Sequence, residues 1–463
     1  MDPAGAGHDV VDVGACVHAR RSASSRSKFK EDRMQQERQP QQHPQQQPQL
    51  APAGDTSSSV QSSPVRILQF VPEALPTFRV DVATLFGKYL PRHGVQCDVV
   101  GMPSQAVAAQ QGFNRASRPS YHGSRLRREL AYGWLCLRML LSARRGEYAA
   151  VQVRDMVTIG LLALCVARLK GIPFYYWVSY LMSEGRVERA EANLARRRTF
   201  RNYLVLLKGR AEEALLYKCV LPAADHVFVQ SDAMLHYVRD RGIPAERMTP
   251  VPMGVDTELL EDRTLAPRRL PGWEHVPLIA YLGTLDKARN LERVVDALVL
   301  LRAQHPTARL LMIGNSATSS DEIELLEYAK QCGVGDAMLI TGWLPSIEAW
   351  QLLAAADAAV SYIPRGRLYD VSSPTKLLEY LALGMPAVGN DIPDQQIVLQ
   401  SSEAGWLTAS EPAAMAEALG RILRDPEAAR RRAGRGPAFI EAERSYRTIA
   451  ARVAARYRAL AAK

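Results

Sequence analysis

From Val65 onward, short apolar runs alternate with longer amphipathic stretches, a rhythm that predicts strands and helices in turn. VRILQFV (65–71) has the unbroken apolar character of a buried parallel strand. A loop, PEALPTFRVD, separates it from VATLFGKYLPRHG (82–94), an amphipathic helix stopped near Gly94, and QCDVVGM is the next strand. YAAVQVRDMV reads as a strand ending near Arg154 and Asp155, IGLLALCVARLKG as a helix and IPFYYWVSY as a strand. Residues 184–220 form a long charged helical stretch that fits either a cap over a ligand cleft or a membrane surface. VFVQS is a further strand, with Ser231 or Asp232 capping the helix behind it. Strand–loop–helix–strand order opens a doubly wound α/β domain, whose ligands sit in loops at the carboxyl ends of the strands.

The rhythm restarts after a proline-marked hinge at Pro267 and Pro271. LIAYLG runs into a loop carrying Lys287 and Arg289, ARLLMIGNS ends in a strand with Gly314 at its carboxyl end, and AMLITGWLP and DAAVSYIP follow. The organisation predicted is a disordered segment (1–63), a first domain (64–262), a linker (263–275), a second domain (276–440) and a closing basic helix (441–463). Gln, Pro and Ser dominate the first segment, which lacks the apolar surface to order itself; a misassigned start codon is the other reading.

The stretch Ser372–Ile392, SSPTKLLEYLALGMPAVGNDI, carries the most chemistry. Ser373 suits an N-cap, Pro374 the first helical position, and Gly384 and Pro386 the stop. A capping box would place Glu or Gln where Lys376 stands. A cation there opposes the helix dipole at a cost of about 0.3–1 kcal/mol, which an anion bound at the helix start would remove. Glu379, one turn on, suits ribose hydroxyls. A solvated surface lysine is the alternative reading.

SPTKLLEYLALGMPAV resembles the donor-site helix of the group 1 glycosyltransferases, family 4, which have the GT-B fold: two Rossmann-like domains facing across a cleft, with the last helix crossing back to the first. The resemblance implies that Glu379 holds the ribose of a nucleotide-diphosphate sugar and that the helix start, Ser373 and Thr375, receives the diphosphate. A second family Glu, which contacts the donor sugar, falls at Val371 here, with Asp370 adjacent but out of register. After the first strand of the second domain, Gly283 matches the family glycine, Thr284 occupies the family Arg position, and Arg289 then Lys287 inherit the diphosphate role. Gly314 and Trp343 fall where the donor site is completed, Trp343 near the base or in the core. On the acceptor side, Arg79 and Asp155 lie at strand ends, and Ser179 occupies a position where family members often have His. Family members transfer a sugar, usually with retention and without a bound metal or other cofactor. Arg289, Lys376 and Lys287 would then stabilise the leaving group.

Composition narrows the partners. A formal charge of +10 over 463 residues favours an anionic partner. Residues 115–147 are rich in Arg around LAYGWLCLRMLL, which fits either an anionic membrane surface or a core-facing helix with a solvated basic face. No recognisable nucleic-acid module accompanies the charge, so no nucleic-acid partner is expected. The six cysteines are scattered, without a zinc or disulfide pattern, and fit a reducing, cytoplasmic setting. No apolar run reaches the roughly 18 residues of a membrane span. Hydrolase carboxylate pairs and a phosphate-binding Walker loop are absent. The expected partners are a nucleotide sugar and a glycan or lipid-linked acceptor, with envelope polysaccharide or glycolipid assembly as the setting. Val371 and Ser179 keep open a rival role, that of a noncatalytic partner of the same fold.

Overall fold

Two all-parallel sheets carry the chain. The first is built from β1 (Val65–Ala74), β2 (Val95–Met102), β3 (Arg115–Ser117), β4 (Ala150–Arg154), β5 (Phe174–Val178), β6 (His226–Val229) and β7 (Met248–Pro250), in the order β3-β2-β1-β4-β5-β6-β7. The second holds β8 (Leu278–Leu282), β9 (Arg309–Ile313), β10 (Met338–Ile340), β11 (Ala358–Ser361), β12 (Ala387–Asn390) and β13 (Trp406–Thr408), in the order β10-β9-β8-β11-β12-β13. The computed structural model describes residues 64–462, apart from residues 78, 106–109 and 262–264. The segment 1–63, read as disordered, lies outside the described residues.

Every residue of β4, β5 and β6 is buried, as parallel strands covered on both faces require. On one face of the first sheet, Tyr132, Cys136, Met139 and Leu140 of helix Arg125–Ser142 and Ala163, Leu164 and Ala167 of helix Val157–Lys170 join a common core. Helix Asp81–Tyr89 and the final helix, Tyr446–Ala461, cover the other face. The last helix therefore crosses back from the second half, and Tyr457 donates a 2.6 Å hydrogen bond to Gln152 of β4. Gly254 marks a close approach on that return path: a β-carbon there would lie 2.7 Å from the Arg444 carbonyl oxygen.

Strand order reverses between β1 and β4 in the first sheet and between β8 and β11 in the second. At such switch points neighbouring loops diverge and leave a crevice at the strands' carboxyl ends. Two elements differ from the sequence expectation. β1 continues through Glu73 to Ala74, shortening the loop behind it. The stretch 184–220 is a hairpin of two helices, Met182–Arg196 and Phe200–Leu215, with a helical turn after them. The break is local: Arg197 is extended, and the Thr199 side chain caps the second helix by accepting from the Asn202 N–H.

Candidate active site

The carboxyl ends of β1, β4 and β5 face those of β8 and β11 across a cleft of about 850 Å³. On the second-sheet side the backbone shapes the wall. Gly283 ends β8 with φ 144°, and Gly314 follows β9 with φ 138°. A β-carbon on Gly314 would lie 2.0 Å from the Gly283 carbonyl oxygen, so only glycine lets these strand ends meet. Gly283 in turn makes room for Lys376, whose Nζ would stand 3.3 Å from a β-carbon there.

Lys376 Nζ donates to the Tyr281 hydroxyl at 2.7 Å and lies 4.1 Å over that ring. The lysine opens to the cleft but is otherwise crowded by protein. Burial, reinforced by the charge of Arg289, pushes its pKa well below the usual lysine value, and Glu379 opposes them only in part. Arg289 lines the same cleft, with its guanidinium 5.5 Å from the Tyr369 ring centroid, and Tyr369 donates a hydrogen bond to the Ala288 carbonyl. Two cations thus face one cleft, an arrangement that a bound anion would relieve. Glu379 accepts from Trp350 Nε1 at 3.0 Å on Oε2. Burial raises its pKa, opposed by hydrogen bonds from Trp350 and Thr375 and by the charge of Lys376.

Of the donor-side residues read from the sequence, Gly283, Thr284, Arg289, Thr375, Lys376 and Glu379 line this cleft. Gly314 and Trp343 line an adjoining pocket of about 280 Å³ that shares Gly283, Thr284 and Glu379, and Trp343 is 71% exposed there. Three placements correct the sequence reading. Helix Thr375–Ala382 has Pro374 at its N-cap and no side-chain cap. The Ser373 hydroxyl instead donates to Asp394 at 2.8 Å and accepts from the Met253 N–H, which ties the helix start to the segment leaving the first half. Lys287 points out of the cleft to an ion pair with Glu324. Asp370 closes its own loop by pairing with Arg365 at 2.8 Å.

On the first-sheet side, Arg79, Asp155 and Ser179 all line the cleft. A residue that sequence reasoning passed over joins them. Arg154, 1% exposed, hydrogen-bonds Glu73, Asp81 (2.6 Å) and Ser179 (2.7 Å). Burial opposes its charge, but Asp81, Asp155 and Glu73 outweigh burial and hold the proton more tightly than usual. Asp155 sits in the left-handed region, φ 55°, and accepts from the Ser179 N–H at 2.7 Å and from the Ser179 hydroxyl. Burial raises the Asp155 pKa against the pull of Arg154 and Ser179. Such strain at a strand end is a common mark of a functional loop. Arg79 pairs with Asp81 at 3.3 Å and approaches Glu73 at 3.8 Å.

Val371 does not face the cleft. With Leu368 it is buried in the core of the first half, its carbonyl accepts from Ser231, and Arg367 approaches Glu188 at 3.8 Å. The loop after β11 thus clasps the opposite half.

Comparison with known proteins agrees with this architecture. Residues 266–438 match the family of glycosyl transferases group 1, and residues 81–259 match Glycosyltransferase Family 4. The chain belongs to the group 1 glycosyltransferases and has their GT-B fold. A curated glycogen synthase of Mycobacterium tuberculosis is 31% identical over 189 residues, 40% of this chain and 42% of that protein. A GDP-mannose-dependent alpha-(1-6)-phosphatidylinositol dimannoside mannosyltransferase of the same species is 28% identical over 201 residues, 43% of this chain and 49% of that one. The alignments thus span less than half of either relative. Among solved structures, sucrose-phosphate synthase from Thermosynechococcus elongatus superposes with a TM-score of 0.64 at 18% identity, covering 86% of this chain and 99% of that one. Anabaena HepE in complex with UDP and glucose superposes with a TM-score of 0.61 at 14% identity, covering 85% and 100%.

Proposed function

We propose that this protein transfers a hexosyl group from a nucleotide-diphosphate sugar to a glycan or lipid-linked acceptor, with retention of configuration, in envelope or extracellular polysaccharide or glycolipid assembly. The observation that carries this reading is the convergence of Arg289, Lys376 and the start of helix Thr375–Ala382 on one cleft, with Glu379 one turn further along that helix. Arg289 and Lys376 receive the diphosphate, and Glu379, its Oε2 held by Trp350, presents Oε1 to the ribose hydroxyls. Thr284 and the adjoining pocket around Gly314 and Trp343 complete the donor side. In the transfer, the bond from the sugar's anomeric carbon to the diphosphate oxygen breaks, one to the acceptor oxygen forms on the same face, and the acceptor's hydroxyl proton passes to the departing diphosphate. The two cations stabilise the departing charge without a bound metal. Asp155, Ser179 and Arg79 approach the acceptor. The setting is the cytoplasm, with peripheral contact at the inner face of the cell membrane.

Calorimetric titration of a nucleoside-diphosphate panel tests the reading, with Lys376→Ala and Glu379→Ala alongside. One nucleotide should bind, and both substitutions should weaken it at least about tenfold, as loss of a charged partner does. No binding by folded wild type would sink the proposal. The anomeric configuration of the product and turnover in the presence of a chelator test retention and metal independence. The burial of Val371 favours a second reading, a noncatalytic partner protein that binds nucleotide and turns over no acceptor.

A further inference from the structure

The helical hairpin beside the cleft has an outer face that its own fold leaves unused. Helix Phe200–Leu215 packs on helix Met182–Arg196 through Gly209, where a β-carbon would meet Val187 Cγ2 at 2.9 Å. Its opposite face presents Phe200, Tyr203, Leu204 and Leu207, an i, i+3, i+4, i+7 stripe with Phe200 79% and Leu207 65% exposed. At the hairpin tip, Arg196, Arg197, Arg198 and Arg201 are exposed and have no ion-pair partner among the described residues. Exposed apolar side chains bordered by unpaired cations are costly in water and suit an anionic interface.

The hairpin's position adds a second line of argument. Met182 and Arg189 of its inner helix line the cleft, and Glu188 reaches Arg367 of the clasping loop. Arg196 stands close enough to act on the charge of Lys287, on the far side of the cleft. The hairpin that carries the apolar stripe therefore borders the cleft through its inner helix. Helix Arg125–Ser142, on the same face of the first sheet as helix Val157–Lys170, carries a similar strip of exposed Leu126, Leu130 and Trp134.

We infer that the hairpin Met182–Leu215 docks on an anionic lipid bilayer, with Phe200, Leu204 and Leu207 entering the interface and Arg197, Arg198 and Arg201 meeting the headgroups, so that the cleft opens toward a membrane-borne acceptor. This deepens the transferase reading and rests on it for the acceptor. Charge complementarity selects the occupant. A second copy would bring the same arginines against these, and segment 1–63 has seven cationic and seven anionic side chains and no charge excess to offer.

The test is co-sedimentation of the full chain with phosphatidylcholine vesicles, with and without phosphatidylglycerol. It compares wild type, the triple variant Phe200→Ser, Leu204→Ser, Leu207→Ser, and the double variant Arg197→Glu, Arg198→Glu. Nucleotide titration and sedimentation velocity are run on each. Wild type should bind only vesicles containing phosphatidylglycerol and release as salt rises. Each variant should lose at least about tenfold in partitioning while its nucleotide affinity stays unchanged. Wild-type binding that the variants leave intact, or no wild-type binding, overturns the inference. So does a dimer that the triple variant dissolves, which would make the stripe a contact between copies. Loss of nucleotide binding in wild type would count against the transferase reading instead, leaving the membrane result to stand by itself.

Discussion

The Ser231 hydroxyl donates a 2.6 Å hydrogen bond to the Val371 carbonyl oxygen while its oxygen accepts from the Met234 N–H. One side chain thus caps a helix on the first sheet and holds a loop that belongs to the second. Ser231→Ala should lower stability by about 1–2 kcal/mol, from the lost cap and the unmet carbonyl together. Urea unfolding measures this, and an unchanged midpoint would show that the bond is dispensable.

Restoring the family residue at the neighbouring position should not restore a sugar contact. Val371→Glu would bury a carboxylate in the apolar core of the first half, at a cost of roughly 3 kcal/mol or more. A folded variant of wild-type stability and improved turnover would contradict this account.

At pH above the Lys376 pKa of the free protein, nucleotide binding should take up a proton. Burial holds the Lys376 pKa well below its unfolded value, so between those two values the folded free protein binds fewer protons than the unfolded chain. Stability therefore rises with pH across that window and is lost as pH falls toward the folded pKa. A diphosphate favours the charged lysine, so affinity should fall by up to about tenfold per pH unit above the free-protein pKa. Calorimetry in buffers of different ionisation enthalpy reads the uptake directly, and Lys376→Met should abolish it.

Gly314→Ala forces a β-carbon onto the Gly283 carbonyl at a backbone conformation that alanine avoids. The loop 283–290 should shift, with a stability loss of roughly 1–3 kcal/mol and nucleotide affinity down at least about tenfold. Retained affinity would mean that the loop does not shape the donor site.

Arg154→Met removes the centre of a buried network and leaves Glu73 and Asp81 with the exposed Arg79 as their remaining cation. A loss of about 3–5 kcal/mol is expected by thermal or urea unfolding. Arg154→Lys should recover only part of it, since one ammonium nitrogen does not replace the two spaced guanidinium nitrogens that serve Glu73 on one side and Asp81 and Ser179 on the other.

The strands and the donor loops were legible because their signals are local. Apolar runs ending in Gly283 or Gly314, and a helix opening with a lysine where an acid would normally stand, are read within a few residues. Long-range partners carried no such signal. Arg154 meets a glutamate 81 positions earlier, Lys376 rests on Tyr281, and Ser373 is drawn from its expected cap by Asp394 and Met253. Lys287, read second to Arg289 for the diphosphate, is drawn out of the cleft by Glu324 from another helix. The hairpin break was readable in principle, since Thr199 followed by Asn202 is a capping pattern, but a run of arginines with good helix propensity masked it.

The clasp made by Arg367, Leu368 and Val371 has a thermodynamic corollary. Leu368 and Tyr369 of this loop also line the cleft, so the segment that touches the occupant grips the opposite half. Any ligand that favours the gripped arrangement must be held more tightly in it by the same factor by which it suppresses separation of the halves. Release of spent nucleotide and parting of the two sheets then become a single linked equilibrium, and loosening the clasp should speed departure at the expense of retention.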